Sequence, residues 1–94
     1  MERHPCVVVQ NDVFNRSAIG TSVVCLITSN LGRAAAPGNV LLKKGDAGLP
    51  NASVVNVSQI LTVDKSELLE CTGKLSDAAA GAVRDGLHLL FDRL

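Results

Sequence analysis

Apolar residues in this chain come in short, β-branched runs set between polar or glycine–proline punctuation. Residues 6–10 (CVVVQ) form the first run, bounded by Pro5 and by Asn11-Asp12. A short apolar run closed on both sides by turn residues predicts a buried strand. The same pattern predicts strands over 21–28 (TSVVCLIT), 39–43 (NVLLK), 53–63 (SVVNVSQILTV) and, briefly, 70–75 (ECTGKL). Residues 13–19 look like a connecting loop closed by Gly20. Ser29 to Gly38 is a punctuated loop, 44–50 is a turn-rich link with two glycines, and 64–69 suggests a helical turn. Within 53–63, alternation puts Val55, Val57 and Gln59 on one face and Val54, Asn56 and Ser58 on the other. That strand therefore exposes two amides and a hydroxyl as a candidate binding edge.

The periodicity then changes. Ser76 is a good N-cap and Asp77 suits the positive end of a helix dipole. Ala80, Val83, Leu87, Leu90, Phe91 and Leu94 recur at helical spacing. Gly81 and Gly86 each cost about 1 kcal/mol against Ala, so this helix depends on tertiary packing. Arg84, His88 and Asp92 fall on its outer face, which makes His88 a solvated surface residue. Several strands and a terminal helix predict an α+β, mainly β, fold: a small, strongly bent antiparallel sheet or partial barrel with a C-terminal helix.

Ninety-four residues make a single domain, residues 1–94, with a modest core. Phe14 and Phe91 are the only aromatic residues, so Val, Leu, Ile and Ala must build the interior. Nine basic residues balance nine acidic ones, which argues against a strongly basic nucleic-acid module. The acids gather in the C-terminal third, leaving the first half free to present positive potential. Cys6, Cys25 and Cys71 show no C-x-x-C spacing, and two lie inside apolar runs. They read as reduced thiols of a cytoplasmic protein, with no metal site and no cofactor. No stretch is long and apolar enough to cross a membrane, and no signal peptide is visible.

Candidate chemistry follows the strands. The first run leads to Asn11-Asp12 and the second to Thr28-Ser29-Asn30, so the two strands are expected to deliver polar side chains to one end of the sheet. Arg3-His4-Pro5 precedes the first strand. An imidazole can give or take a proton near neutral pH, and a guanidinium can grip a phosphate through two hydrogen bonds. By itself, a Thr-Ser-Asn run after a strand is ordinary turn chemistry.

The segments RHPCVVVQND, VVCLITSN, PGNVLL and SVVNVSQILTV, in this order and followed by a helix, resemble the MazF/PemK family of toxins, the endoribonucleases of bacterial type II toxin–antitoxin modules. The resemblance covers about residues 3–94. It implies an SH3-like barrel with a C-terminal helix, a homodimer, metal-independent cutting of single-stranded RNA at short sequences, and a cognate antitoxin. It further implies Thr28 as a catalytic hydroxyl, with His4 as candidate catalytic acid or base and Arg3 as candidate catalytic cation at the phosphate, and Ser29, Asn30, Gln59 and Asn11 as RNA contacts. The chain departs from the family at two points. The family's opening strand and its loop have no counterpart before Arg3, and His4 rather than an arginine stands next to Pro5. Two rivals follow: a shortened toxin that binds antitoxin without cutting RNA, and a gyrase-poisoning toxin on the same scaffold. An unpaired sheet edge is expected where the opening strand is missing, with self-association as its consequence.

Overall fold

The structure is a computed structural model that describes residues 4–93. Four strands form one antiparallel sheet: β1 (Cys6–Val8), β2 (Thr21–Thr28), β3 (Val40–Leu42) and β4 (Ser53–Asp64), in spatial order β1-β2-β4-β3. Between β1 and β2 lies a four-residue helix, α1 (Asp12–Asn15). The long helix α2 (Asp77–Phe91) closes the fold. This is the mainly β architecture with a C-terminal helix that the pattern predicts.

The sheet owes its bend to β4. Cys25 pairs with Ile60 and the next residue, Leu26, pairs with Asn56, which leaves Val57, Ser58 and Gln59 unopposed on β2. An irregularity of this kind bends the longer strand and increases the local twist. It also resets the alternation. Ile60 joins Val55 and Val57 against the core, while Gln59 turns exposed instead of sharing their face. The first half of β4 then pairs with β3, through Leu41 opposite Val54, and the second half returns along the start of β2.

The core lies between the sheet and α2. Cys25, Leu42, Val55 and Val57 are almost fully enclosed, and Ala79 and Val83 of the helix pack on them. Each such valine or leucine contributes about 1.5–3 kcal/mol relative to an exposed one. Ser76 caps α2 through its hydroxyl, which accepts from the Ala79 amide at 3.2 Å. Two turns of α2 differ from the apolar periodicity. The buried positions are Ala79, Val83 and Gly86, whereas Leu90 and Phe91 are exposed.

Three segments depart from the pattern. Residues 70–75 form no strand, and they run as an irregular link whose Thr72 hydroxyl donates to the Ala47 carbonyl at 3.0 Å. Their alternation was too short to hold a ladder against the pull of that side-chain contact. The 13–19 loop holds α1 because the Asn11 side chain accepts from the Val13 amide at 2.8 Å and caps the turn. Asn56 is buried and paired, so it belongs to no exposed edge: Asn39 Nδ2 donates to Asn56 Oδ1 at 2.7 Å and to the Arg33 carbonyl at 2.9 Å, while Asn39 Oδ1 accepts from the Val57 amide at 3.0 Å. Asn39 thereby stitches the unopposed part of β4 to the loop before β3.

Candidate functional site

The polar strand ends do not meet at one end of the sheet. β1 and β2 are antiparallel, with Cys6 opposite Leu26 and Val8 opposite Val24. The end of β2 therefore lies beside the start of β1, and the Ile27 amide donates to the Pro5 carbonyl at 3.0 Å. His4 and Pro5 are brought to Thr28 by this ladder. Asn11 is carried to the opposite end of the sheet, where it borders an apolar hollow with Phe14 and Phe91. The antiparallel sheet expected from the sequence already implies this when β1 and β2 are neighbours, so the expectation that both strands end together was inconsistent with it.

At the Thr28 end the chain forms an open cleft of about 320 Å³. One wall carries His4, Pro5, Thr28 and Ser29. Ile27 joins them from the β1–β2 ladder, and the other wall, from the link into β4, carries Leu49, Pro50, Asn51 and Ser53. Ile27 and Leu49 are buried, whereas His4, Pro5, Ser29, Pro50 and Asn51 are exposed. The cleft is thus an apolar trough with polar groups along its rim.

Thr28 is the last residue of β2 and is half-buried. Its Oγ1 accepts from the Asn30 amide at 3.1 Å, an ST-turn that fixes the side chain. A hydroxyl has one donor and two acceptor positions. No acceptor for its proton lies within hydrogen-bond distance among the described residues. Thr28 is therefore held in place with its O–H left to point at an incoming group. Asn30 is occupied differently: its Oδ1 accepts from the Gly32 amide at 3.1 Å and caps the 3₁₀ turn Leu31–Ala35. Asn30 is exposed, but its carbonyl oxygen is spent on the turn.

Gln59 is exposed in the unopposed stretch of β4 and does not line this cleft. Val54 is the partner of Thr28, and Gln59 lies five residues further on, about 16 Å along an extended strand. Arg3 lies outside the described residues. Of the seven residues singled out from the sequence, His4, Thr28 and Ser29 share the cleft, Asn30 supports it, and Asn11 and Gln59 stand apart.

The facing wall was missed. Residues 49–51 sit in a turn-rich link with no motif to mark them. The signal was the glycine-bounded run Gly45 to Gly48 followed by Leu-Pro, which demands a tight, left-handed path: Gly45, Ala47 and Gly48 all have positive φ. Among the described residues, no group of three or more His, Cys, Asp or Glu is placed to hold a metal ion. No helix among them is long and apolar enough to cross a membrane.

The sequence profile of the PemK-like, MazF-like toxins of type II toxin–antitoxin systems matches residues 1–91. The endoribonuclease MazF6 of Mycobacterium tuberculosis (strain H37Rv) is 38% identical over 91 residues, spanning 97% of this chain and 80% of the relative. The endoribonuclease EndoA of Bacillus subtilis (strain 168) is 32% identical over 85 residues, spanning 90% of this chain and 72% of the relative. Among solved structures, the Mycobacterium tuberculosis toxin MazF-mt6 superposes with a TM-score of 0.82 at 20% identity, covering 95% of this chain and 86% of the other. A mycobacterial endoribonuclease solved in complex with its cognate antitoxin gives a TM-score of 0.81 at 25% identity, covering 95% and 81%.

Proposed function

Since this chain belongs to the PemK-like, MazF-like toxins of type II toxin–antitoxin systems and is an endoribonuclease, we propose that it cuts single-stranded RNA in the cleft where Thr28, Ser29 and His4 meet. The supporting observation is the Thr28 hydroxyl, held by the Asn30 amide on a residue that lines the same cleft as His4.

Cleavage proceeds by attack of a ribose 2′-oxygen on the adjacent phosphorus. The P–O2′ bond forms, the P–O5′ bond breaks, and the products are a 2′,3′-cyclic phosphate and a 5′-hydroxyl. One proton leaves the 2′-hydroxyl and one must reach the departing 5′-oxygen. The Thr28 hydroxyl donates to a non-bridging phosphate oxygen as negative charge builds there. It is too weak an acid to lose its proton unaided, so proton transfer falls to the His4 imidazole. Ser29, exposed next to Thr28, adds a second hydroxyl at the phosphate.

In its cellular setting, the toxin pairs with a second copy and is held inactive by a cognate antitoxin in the cytoplasm. The exposed apolar residues Leu89, Leu90 and Phe91 at the end of α2 support an association surface.

The test is cleavage of a long unstructured RNA in EDTA by wild type and Thr28→Ala. Wild type should cut, and the variant should lose about 10²–10³-fold, the usual cost of removing one transition-state donor. Equal cutting by both proteins would refute the role of Thr28. Failure of wild type to cut any RNA, with tight antitoxin binding intact, would favour a binding module over an enzyme.

A further inference from the structure

The wall facing Thr28 carries a group for which the cleavage chemistry has no use. We infer that Asn51 reads the base of the nucleotide seated in the cleft, and so sets the sequence preference of this enzyme. The inference rests on the cleft being the RNA site.

Three observations carry it. First, Asn51 lines the same cleft as Thr28, Ser29 and His4, and it comes from the other side of β2: it precedes Val54, the β4 partner of Thr28, by three residues, whereas His4 leads into β1. A nucleotide with its phosphate between Thr28 and His4 can lay its base toward Asn51 on that other side. Second, the backbone of Asn51 is fixed while its side chain is not used. The buried Ser53 hydroxyl donates to the Asn51 carbonyl at 3.0 Å. The Asn51 carboxamide makes no hydrogen bond to any described residue, although it is exposed at the cleft rim. The other amides singled out differ: Asn30 and Asn11 each cap a turn through Oδ1, and Gln59 stands outside the cleft. Third, the surface beneath Asn51 suits a base. No Phe, Tyr or Trp lines the cleft, but the exposed Pro5 and Pro50 and the buried Ile27 and Leu49 give it apolar ground. A base lying on this apolar ground presents its edge to the rim. An unpaired base offers donors and acceptors on its Watson–Crick edge, and an amide offers one donor and one acceptor side by side.

The geometry gives a directional test. An amide matches an edge with an adjacent donor and acceptor. A carboxylate only accepts, so Asn51→Asp should favour an edge with two adjacent donors, the N1–H and N2–H₂ of guanine. A set of short single-stranded RNAs, identical except at the nucleotide 3′ or 5′ to the cut, is offered to wild type, Asn51→Ala and Asn51→Asp. Initial rates are compared as ratios between bases at each position. In wild type one position should show a preference. In Asn51→Ala that preference should shrink by about 5- to 150-fold, the range for one well-formed bidentate contact. In Asn51→Asp it should move toward guanine. Preferences at the other position should hold in both variants.

A uniform loss of rate on all substrates, with ratios unchanged in both variants, would overturn the inference and reduce Asn51 to a structural role. Binding of the same RNAs to Thr28→Ala protein, with and without the Asn51 changes, separates this inference from the cleavage reading. If no protein cuts but binding still shows an Asn51-dependent base preference, the enzyme reading fails and the base-reading role stands. If the RNAs bind with no dependence on Asn51, or do not bind at all, the base-reading role fails.

Discussion

The two glycines of α2 make opposite predictions about one substitution. In an isolated helix, Gly→Ala stabilises by about 0.8–1 kcal/mol at either site. At Gly81 nothing lies within 4 Å of the position a methyl would take, so that gain is realised. At Gly86 the helix sits against the loop before β3. A methyl there would overlap the carbonyl oxygen of Gly38 outright, and it would stand 3.1 Å from Val57 Cγ1. Gly38 cannot retreat easily: its φ is 76°, and its own Cβ position is only 3.0 Å from Val57 and 3.2 Å from Gly86. Helix and loop are in backbone contact, so α2 must move off the sheet by a good fraction of an ångström. That loosens the buried Ala79 and Val83 against Val55 and Val57.

Overpacking costs about 1–3 kcal/mol, and an overlap with backbone belongs in the upper half of that range, about 2–3 kcal/mol; less the propensity gain of about 1 kcal/mol, Gly86→Ala is destabilised by about 1–2 kcal/mol. For a domain of this size, 1 kcal/mol moves the melting temperature by about 4–8 °C. Gly86→Ala should melt about 5–15 °C below wild type, and Gly81→Ala a few degrees above it. Thermal unfolding followed by circular dichroism at 222 nm, at one fixed protein concentration, checks both, since self-association would make the midpoint depend on concentration. A Gly86→Ala protein as stable as Gly81→Ala would refute the seating of α2 described here.

Asn39→Ala orphans the Val57 amide and the Asn56 side chain, at about 1–3 kcal/mol for each buried group, and urea titration should show a correspondingly lower midpoint. A loss below about 0.5 kcal/mol would mean water replaces the amide without cost. Burial pushes the Cys6 and Cys25 thiols above their ordinary value of 9.0. The folded state therefore holds these protons more tightly than the unfolded chain does. Their contribution is intact below about pH 9 and falls as pH rises through the raised values. Cys25→Ala should be less stable than wild type at neutral pH because of its cavity, and the gap should narrow above about pH 9. A gap that stays constant across that range would refute the linkage.

The strands and α2 were legible because each has a strong local signature: β-branched runs for β1, β2 and β4, and a Ser76 cap with helical spacing for α2. Thr28 was legible because it ends a long apolar run just where a turn begins. What could not be read was relative placement. An antiparallel sheet was expected, but nothing in Cys6–Val9 or Val23–Ile27 says that these two strands are neighbours, and that pairing is what puts His4 rather than Asn11 beside Thr28. The alternation of β4 fails for a similar reason. A period of two puts Asn56 and Ser58 on one face and Gln59 with Val55 and Val57 on the other, but the pairing skips from Asn56 to Ile60, and Asn39, seventeen residues upstream, turns Asn56 into an interior group. Gly86 looked like a cost to the helix and proved to be the point at which the helix meets the sheet's connecting loop.

The cleft needs two walls at a fixed separation, and only one of them is a strand. The Thr28 wall inherits its rigidity from the β1–β2 ladder. The Asn51 wall is a link between β3 and β4, and links are ordinarily the mobile parts of a fold. Here the link is clamped from behind. Asp46 accepts the Ser76 amide at 3.1 Å and the Ser76 hydroxyl at 3.3 Å, which ties the link to the first turn of α2. Thr72 donates to the Ala47 carbonyl, and Gly48 lies so close to Thr72 that any side chain there would collide with its carbonyl. Ala47 itself is held at φ 54°, a conformation that costs a non-glycine residue about 1–2 kcal/mol. Such strain persists only when the surroundings over-determine it, and it is characteristic of sites that position something. The irregular 70–76 segment thus replaces a strand's hydrogen bonds with side-chain clamps. It carries the order of α2 across to Leu49, Pro50 and Asn51, so that both walls of the cleft are referred to the same core.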